Sequence, residues 1–445
     1  MARLPDNKVR LAEGAAFMAL MIAVGFGPAN CKRPSQTDVP PESPSTEKTA
    51  AHPTVDAVFL IVIDTLRADR LSCYGCAEHK TPHFDRAAEI GVRFTRAHTV
   101  ASWTCPSMGA MLTSLYPRQL GMFEQPAPPG RRFEWRERRG QMSNTVPAYA
   151  PSIAQMMRSQ GFRTAAFVNQ PALNATPSFA RGFTEYFYPV SKDKISRAEP
   201  DTGQRIHQSW STNLDSATTD EMLANKFAEW VGAHGREKLF AWVHLMAPHV
   251  PYAPPAPFAP PPLPDGRPGS NFQRYDGEVR FTDDLVGRMI DAIERHVQLD
   301  RAAIILTSDH GEEFQDHGHH GHGHSFYREV NRVPLIVAAP SILAPKTIEA
   351  DVRIIDIAPT ILKLAGVDRF SDGLSGTSLL SVISGRSRPL PVFAEGKLYG
   401  NTQRCFVDNG FKLIAGEVDG RLELYDVVAD PAELNNLAAQ LPRRV

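Results

Sequence analysis

Five stretches of the chain consist almost entirely of apolar residues, without the alternation of apolar and polar positions that a half-exposed strand shows. Runs of this length, rich in β-branched residues, are typical of strands that are covered on both faces, as in a parallel sheet. The pattern therefore predicts central strands over Val58–Ile63, Thr164–Val168, Leu239–Leu245, Ala303–Thr307 and Pro334–Ala339.

The segments between these runs carry apolar residues at helical spacing. Over Asp276–Val297, for instance, Val279, Val286 and Ile290 share one face of a helix. Further helices are predicted near Thr81–Ile90, Ser152–Gln160, Glu221–Ala233 and Ala358–Leu364. The alternation of buried strands with amphipathic helices indicates an α/β fold with a mostly parallel central sheet flanked by helices.

The pattern changes towards the end of the chain. Three short strand-like segments, Gln403–Phe406, Phe411–Ile414 and Leu422–Tyr425, follow one another without intervening helices. We expect them to form a small C-terminal antiparallel subdomain over 386–445, after an α/β catalytic domain over 56–385.

The first residues are predicted to precede the fold. Lys8 and Arg10 come before the uncharged apolar run Gly14–Gly27, and Cys31 follows it. This pattern is typical of a signal peptide or a lipoprotein-like anchor over 1–31, with an uncleaved anchor as the alternative. Residues 32–55, rich in Pro, Ser, Thr and Glu, are expected to be a disordered linker. We therefore expect an exported protein, periplasmic or held to a bacterial membrane by its N-terminus.

Composition excludes some classes of partner. The 445 residues are 42% hydrophobic and 22% charged, as in soluble globular proteins. The formal net charge of −1 argues against a nucleic-acid partner, because such binding depends on an excess of basic residues.

Several predicted strands are followed by polar residues that are capable of chemistry. These residues are Asp64, Asn169, His249 and the pair Asp309–His310. Ligands of an open α/β sheet bind beyond the carboxyl ends of its strands. The sequence therefore predicts a site at this edge of the sheet.

The stretch Ser102–Pro117 places a hydroxyl group at the start of a further predicted helix. Pro106 lies in the first turn and Pro117 ends the run. The unpaired N–H groups and the positive end of the dipole at such a position favour an anion. Thr104 is therefore a candidate nucleophile towards a phosphate or sulfate ester, and an ordinary N-cap is the alternative.

Three of these residues could bind a metal ion together with Thr104. The carboxylates of Asp64 and Asp309, the imidazole of His310 and the hydroxyl of Thr104 would give four ligands for one divalent cation. A cation there would lower the pKa of the hydroxyl and neutralise charge on the transferred group. Taken singly, each aspartate could instead cap a helix or a turn.

The order of these segments resembles the sulfatase family of the alkaline-phosphatase-like superfamily, from about Ala57 to about Leu437. The nucleophile segment and the segment Asp309–Glu312 are the more specific parts. The resemblance rests on 60–69 (LIVIDTLRAD), 81–85 (TPHFD), 104–107 (TCPS), 112–117 (LTSLYP), 247–252 (APHVPY), 307–312 (TSDHGE), 322–323 (HG), 332–334 (RVP), Asp356 with 359–360 (PT), and 424–426 (LYD) with 430–431 (DP) and 436–437 (NL).

The resemblance implies a role for each matching position. It implies metal ligands at Asp64, Asp309 and His310 and the nucleophile at Thr104. It implies a substrate-contacting histidine at His249. His322 falls where many members carry a Lys or His that binds the sulfate or phosphate oxygens or assists the leaving group. Asn169, which ends its own strand, is predicted with His249 and His322 to bind substrate.

The chain also departs from the family pattern. Sulfatases oxidise a Cys or Ser to formylglycine two residues before the motif proline, and here that position is Thr104. Cys105 comes one residue too late, Met108 replaces the usual arginine, and Thr65 replaces the second aspartate of the usual Asp-Asp pair. Nitrogen ligation by His310 and the loss of one carboxylate favour Zn or Mn over Ca.

These features predict a metal-dependent hydrolase that cleaves a sulfate or phosphate ester through metal-bound Thr104, without formylglycine. The ester could belong to a glycan, a lipid or a small molecule. The alternatives are a phosphoester transferase of the phosphoethanolamine or phosphoglycerol type, a phosphodiesterase, and a sulfatase-like binding protein without turnover.

Overall fold

A computed structural model gives the structure of residues 53–123, 144–174, 177–189, 205–208, 216–367 and 373–444. The predicted leader over 1–31 and the predicted linker up to residue 52 lie outside these residues. All described residues fall in one compact unit.

The centre of the structure is a nine-stranded sheet, counted over the described residues, with the order β11-β2-β10-β7-β1-β6-β3-β4-β5. Every neighbouring pair in it is parallel except the two pairs made by β10, which runs against β2 and β7. Its strands are β1 (Ala57–Ile63), β2 (Val92–His98), β3 (Arg163–Val168), β4 (Glu185–Tyr188), β5 (Arg205–Gln208), β6 (Leu239–Leu245), β7 (Ala302–Ser308), β10 (Arg332–Ala338) and β11 (Lys346–Arg353).

Helices cover both faces of this sheet. Those within the described residues are α1 (Pro82–Glu89), α2 (Thr104–Thr113), α3 (Ile153–Arg158), α4 (Pro171–Asn174), α5 (Ser216–His234), α6 (Asn271–His296), α7 (Arg328–Asn331), α8 (Ile357–Leu364) and α9 (Leu380–Ile383). One core packs α1, α5 and α6 against the sheet, and the other packs α2, α3 and α8 against its opposite face. None of the helices in the described ranges combines the length and the apolar character that crossing a bilayer requires.

Strand β1 shows why the predicted central strands are apolar throughout. Val58, Leu60 and Val62 belong to one core, whereas Phe59 and Ile61 belong to the other, and all are buried. Because successive side chains of a strand point to opposite faces, a sheet covered on both sides needs apolar residues at every position. The predicted α/β class is thereby confirmed.

The antiparallel orientation of β10 was not predictable from its apolar pattern. A fully buried strand shows the same unbroken run whichever direction its neighbours take. Strands β2 and β11, at the edge next to β10, were also not predicted. Their sequences mix charged and apolar residues because part of each strand is exposed.

The C-terminal residues form a second, four-stranded antiparallel sheet, as predicted. It consists of β12 (Val392–Ala394), β13 (Gln403–Asp408), β14 (Phe411–Gly416) and β15 (Leu422–Asp426). Its small core includes Phe326 and Tyr327, which precede α7. A two-stranded ribbon, β8 (Glu313–Phe314) with β9 (His320–Gly321), lies between β7 and this region of the chain.

His317, in the turn of this ribbon, ties the ribbon to the C-terminal segment. Its Nδ1 lies 2.7 Å from Oε1 of Glu329, its Nε2 lies 3.1 Å from the carbonyl oxygen of Glu433, and its ring stacks on Tyr327. Burial disfavours the charged ring and by itself would lower the pKa of His317. The hydrogen bond and the charge of the Glu329 carboxylate have the larger effect together and raise this pKa to about 9.

We therefore expect the His317–Glu329 pair to make stability depend on pH. A raised pKa means that the contribution is fully present below about pH 6.5 and is lost as the pH rises through about 9. The Tm, followed by circular dichroism between pH 6 and 10, should fall more steeply for the wild type than for His317→Gln. Parallel curves for the two proteins would contradict the charged pair.

Candidate active site

The carboxyl ends of neighbouring parallel strands meet at one edge of the central sheet. In register, Ile63 of β1 lies between Leu245 of β6 and Ser308 of β7. The residues that follow these strands therefore emerge side by side. The predicted Asp64 and Asp309 are among them.

These two fully buried carboxylates form the centre of the site. Gln170 Nε2 donates to Oδ2 of Asp64 at 2.7 Å, and the backbone N–H of His310 donates to Oδ1 of Asp309 at 2.8 Å. The remaining oxygens, Oδ1 of Asp64 and Oδ2 of Asp309, accept no hydrogen bond from any residue that the structure describes. Burial and the neighbouring charge of Asp309 raise the pKa of Asp64 well above its ordinary value. Such a pair is stabilised by a cation.

His310 presents one ring nitrogen to these carboxylates. Its Nδ1 lies 3.0 Å from the carbonyl oxygen of Gly311 and therefore carries the proton that it donates there. Its Nε2 lies 3.7 Å from Oδ1 of Asp64 and 3.5 Å from Oδ2 of Asp309. Burial lowers the pKa of His310 to about 4, so the ring is neutral near pH 7 and offers the Nε2 lone pair.

Thr104 is the first residue of α2, and it is not the N-cap of that helix. Trp103 occupies the cap position and makes no side-chain cap hydrogen bond. The Thr104 hydroxyl instead lies 3.2 Å from Nε2 of His310. One turn on, Ser107 donates its hydroxyl to the carbonyl oxygen of Asp309 at 2.6 Å and so holds the helix against the strand end. The N-cap alternative is therefore wrong, because the hydroxyl contacts His310, which is distant in the sequence, and not a backbone N–H group of α2.

His244, within β6, is a site residue that the sequence analysis missed. It is fully buried, and its Nε2 lies 3.7 Å from Oδ2 of Asp309. One signal was available, since a histidine inside the run Leu239–Leu245 has no solvent to face when the strand is covered on both sides.

The side chains fit a divalent cation. Asp64, His244 and Asp309 each offer a ligand atom within 4.8 Å of the others, and all three are buried. The free oxygens of the two aspartates and the lone pair of His310 face the same region. The metal roles predicted for Asp64, Thr104, Asp309 and His310 remain predictions.

Two further histidines lie next to this cluster. The rings of His310 and His322 have centroids 4.4 Å apart, and those of His322 and His249 are 5.1 Å apart. Nδ1 of His322 lies 2.8 Å from Oε1 of the fully buried Glu312, whose Oε2 accepts a hydrogen bond from Tyr252 at 3.1 Å. Glu312 thus orients His322.

The pKa values of the two outer histidines are shifted in opposite directions. Burial opposes protonation of His322, but the Glu312 carboxylate outweighs it and raises the pKa of His322. Burial and the nearby His322 lower the pKa of His249. The site therefore pairs a ring whose protonation is favoured with one whose protonation is disfavoured.

Asn169 is turned away from the aspartates. Its Nδ2 donates to Oγ1 of Thr219 and to Oδ1 of Asp220, each at 2.7 Å. Asp220 in turn accepts the backbone N–H groups of Met246 and Ala247, which begin the turn that carries His249. Asn169 therefore supports that turn, and its predicted contact with substrate remains a prediction. The neighbouring Gln170 is the residue that meets Asp64.

The C-terminal segment supports the loop of His322. The backbone N–H groups of Leu398 and Tyr399 both donate to the carbonyl oxygen of Gly323, at 2.7 and 2.8 Å. Gly323 has a φ of 83°, a conformation that favours glycine. On the other side, Ser102 donates its hydroxyl to the carbonyl oxygen of Gly396 at 3.3 Å. The same segment thus contacts the chain beside both Thr104 and His322.

Three of the residues that depart from the family pattern do not face the site as ligands. Thr65 donates its hydroxyl to the carbonyl oxygen of Asp64 at 2.7 Å. Cys105 and Met108 lie within α2, and their side chains are fully buried in the core that this helix forms with the sheet.

Comparison with known proteins identifies the family. The sulfatase family profile matches residues 56–367, and a profile described as N-sulphoglucosamine sulphohydrolase, C-terminal, matches residues 316–443. The chain thus has the α/β fold of the alkaline-phosphatase-like class of hydrolases. The chain belongs to the sulfatase family.

Individual relatives have low sequence identity to this chain but align with most of its length. A protein named sulfatase from Formosa agariphila is 24% identical over 430 residues, covering 86% of this chain and 82% of the relative. The structure of a phosphonate monoester hydrolase of Agrobacterium radiobacter matches with a TM-score of 0.67 and 23% identity, covering 87% and 92% of the two chains. A structure solved with its substrate D-glucosamine-2-N,6-O-disulfate matches with a TM-score of 0.67 and 20% identity, covering 88% and 95%. At this identity the structures establish the fold.

The contact between Glu312 and His322 generates a prediction about the rate of ester hydrolysis. Glu312→Ala removes the acceptor that orients the ring, and kcat should fall by about 10- to 100-fold. Glu312→Gln keeps a carbonyl oxygen for the Nδ1 proton and should lose less. The test is steady-state hydrolysis of nitrophenyl phosphate and sulfate esters by variants with unchanged Tm. Equal losses in both variants would argue against an orienting hydrogen bond.

Proposed function

We propose that this protein is a metal-dependent hydrolase that cleaves a sulfate or phosphate ester with Thr104 as its nucleophile. The observation that carries the proposal is the position of the Thr104 hydroxyl. It lies at the start of α2, 3.2 Å from Nε2 of His310, beside two buried carboxylates with free oxygens. A hydroxyl in this setting, at the positive end of a helix dipole, is suited to attack an anionic ester.

The proposed cation would be held by Asp64, Thr104, Asp309 and His310, as the resemblance implies. When bound, it would lower the pKa of the Thr104 hydroxyl and offset the charge of the transferred group. An imidazole among the ligands favours Zn or Mn over Ca, which prefers oxygen.

The other steps of the proposed reaction are carried out by side chains of the protein. Deprotonated Thr104 Oγ1 forms a bond to phosphorus or sulfur, and the bond from that atom to the ester oxygen breaks. His322, whose protonated form Glu312 favours, donates a hydrogen bond to the non-bridging oxygens or a proton to the departing alcohol. His249 lies beside it and contacts the same group.

The nature of the nucleophile supports phosphoryl transfer in particular. A formylglycine hydrate expels sulfate by collapsing to the aldehyde, but threonine cannot form an aldehyde. The ester on Thr104 must be cleaved by attack on phosphorus or sulfur, by water in a hydrolase or by an alcohol in a transferase. The similarity to a phosphonate monoester hydrolase agrees with this preference, and a phosphodiesterase or a phosphoester transferase is the second candidate.

The comparisons also support a sulfated or phosphorylated sugar or small molecule as substrate. One structural neighbour was solved with a glucosamine disulfate as its substrate. The segment of Leu398 and Tyr399, which is hydrogen-bonded to Gly323 next to His322, is our candidate for contact with the alcohol part of such an ester.

The proposal predicts that Thr104→Ala lowers kcat by at least about a thousand-fold on any ester that the wild type cleaves. Thr104→Ser keeps a hydroxyl and should retain more activity. A paired assay on nitrophenyl sulfate and bis-nitrophenyl phosphate, with Zn or Mn added, measures both. The intact mass of acid-quenched protein should then show one added sulfate or phosphate group, absent from Thr104→Ala.

Two outcomes would overturn this assignment. Full activity in Thr104→Ala would exclude the nucleophile. Stoichiometric metal without turnover on a broad ester panel would favour a binding protein that keeps the fold.

A further inference from the structure

His244 is a buried polar side chain that the proposed mechanism does not use. It lies in β6 with no solvent exposure, and neither Nδ1 nor Nε2 has a hydrogen-bond partner among the residues that the structure describes. Burying an imidazole without a partner costs free energy, and native structures rarely tolerate it. Such a residue calls for a ligand that the protein side chains do not supply.

The direction of the ring identifies that ligand. Nε2 of His244 lies 3.7 Å from Oδ2 of Asp309, which is too far for a hydrogen bond. Two atoms that bind one cation at about 2.0–2.2 Å lie about 3–4 Å apart. The separation is therefore typical of two ligands of a common ion. Oδ2 of Asp309 is itself a free oxygen among the described residues, so both partners of the pair are available.

A structural role for His244 is not supported by its other neighbours. The Val62 and Val168 positions flank it in register on β1 and β3, and the Trp242 ring lies edge-on with its centroid 6.2 Å away. These neighbours fill space and offer no acceptor for an N–H group. The carboxylates of Asp64 and Asp309, by contrast, each have an oxygen within 4.8 Å of a ring nitrogen of His244.

Thr65 explains why the site has room for an additional ligand. Its hydroxyl is committed to the carbonyl oxygen of Asp64, and its φ of 57° turns the backbone into the left-handed region. Thr65 therefore places no oxygen among the free atoms of Asp64 and Asp309. His244 approaches these atoms from the neighbouring strand β6.

We infer that His244 is a ligand of the divalent cation, through Nε2, together with Asp64 and Asp309. With His310 and Thr104 the donor set becomes two carboxylates, two imidazoles and one hydroxyl. Two nitrogen donors make the site selective for a transition metal such as Zn, Mn or Co over Ca. This inference rests on the proposed function only in placing a cation between the two aspartates.

The test counts imidazole ligands in the full-length, metal-loaded protein. Protein stripped with a chelator and reloaded with one equivalent of Zn or Co is measured by X-ray absorption spectroscopy. The wild type should show two imidazoles per metal, and His244→Gln should show one. His249→Gln, which changes the other histidine of the same segment, should keep two and serves as the matched control.

Affinity provides a second measurement on the same proteins. Competition with a chromophoric chelator should show Zn affinity reduced at least about tenfold in His244→Gln and unchanged within about twofold in His249→Gln. Circular dichroism of each protein without metal establishes that the variants are folded. If His244→Gln does not fold, His322→Gln replaces it: two imidazoles in the wild type, His249→Gln and His322→Gln support the inference, and fewer than two in any of them contradict it.

The outcomes separate this inference from the proposed function. One imidazole in the wild type, or two in His244→Gln, overturns the inference, and the loss of activity in Thr104→Ala would still support the proposed nucleophile. Two imidazoles in the wild type with full activity in Thr104→Ala would support the metal site and overturn the nucleophile. A wild-type protein that binds no cation would overturn both.

Discussion

Two carboxylates buried next to each other at the ends of β1 and β7 impose the main constraint on this structure. Asp64 and Asp309 each keep one oxygen free among the described residues, while Gln170 and the backbone of His310 hold the other. Two such charges in a dry interior repel each other and lose hydration, which raises the pKa of Asp64, and a cation between the two carboxylates would relieve both costs. The imidazoles of His244 and His310 and the start of α2 lie around these two carboxylates.

The central sheet and helix α2 hold the two aspartates and Thr104 in position. The parallel register of β7, β1 and β6 brings three strand ends to one edge, and Ser107 ties α2 to the end of β7. The loop of His322 is held separately, by Glu312 from within and by the C-terminal segment from outside. The central sheet therefore carries the buried groups, and loops carry the residues that are proposed to contact substrate.

Under the proposed function, Thr104 at the start of α2 would set the chemistry apart from that of formylglycine sulfatases. The same position that accepts a hydrated aldehyde in those enzymes here holds a hydroxyl that can form only a simple ester. The buried Met108 beneath it agrees with this difference, because an apolar residue replaces the usual cation. Family membership thus describes the fold, whereas the reaction at Thr104 belongs to the proposed function.

The sequence by itself determined the α/β class, the central strands and the strand-end residues Asp64 and Asp309, because burial on both faces leaves an unbroken apolar run that ends where the chain turns. It also located Thr104 at the start of a helix, although the contact of its hydroxyl with His310, 206 residues away, is visible only in the structure. Only the tertiary structure decided the direction of β10, the partners of Asn169 and the surroundings of His244. Neighbouring strands determine the first and the last, and helix α5 supplies the partners of Asn169, since an isolated strand does not show which groups its side chains will face.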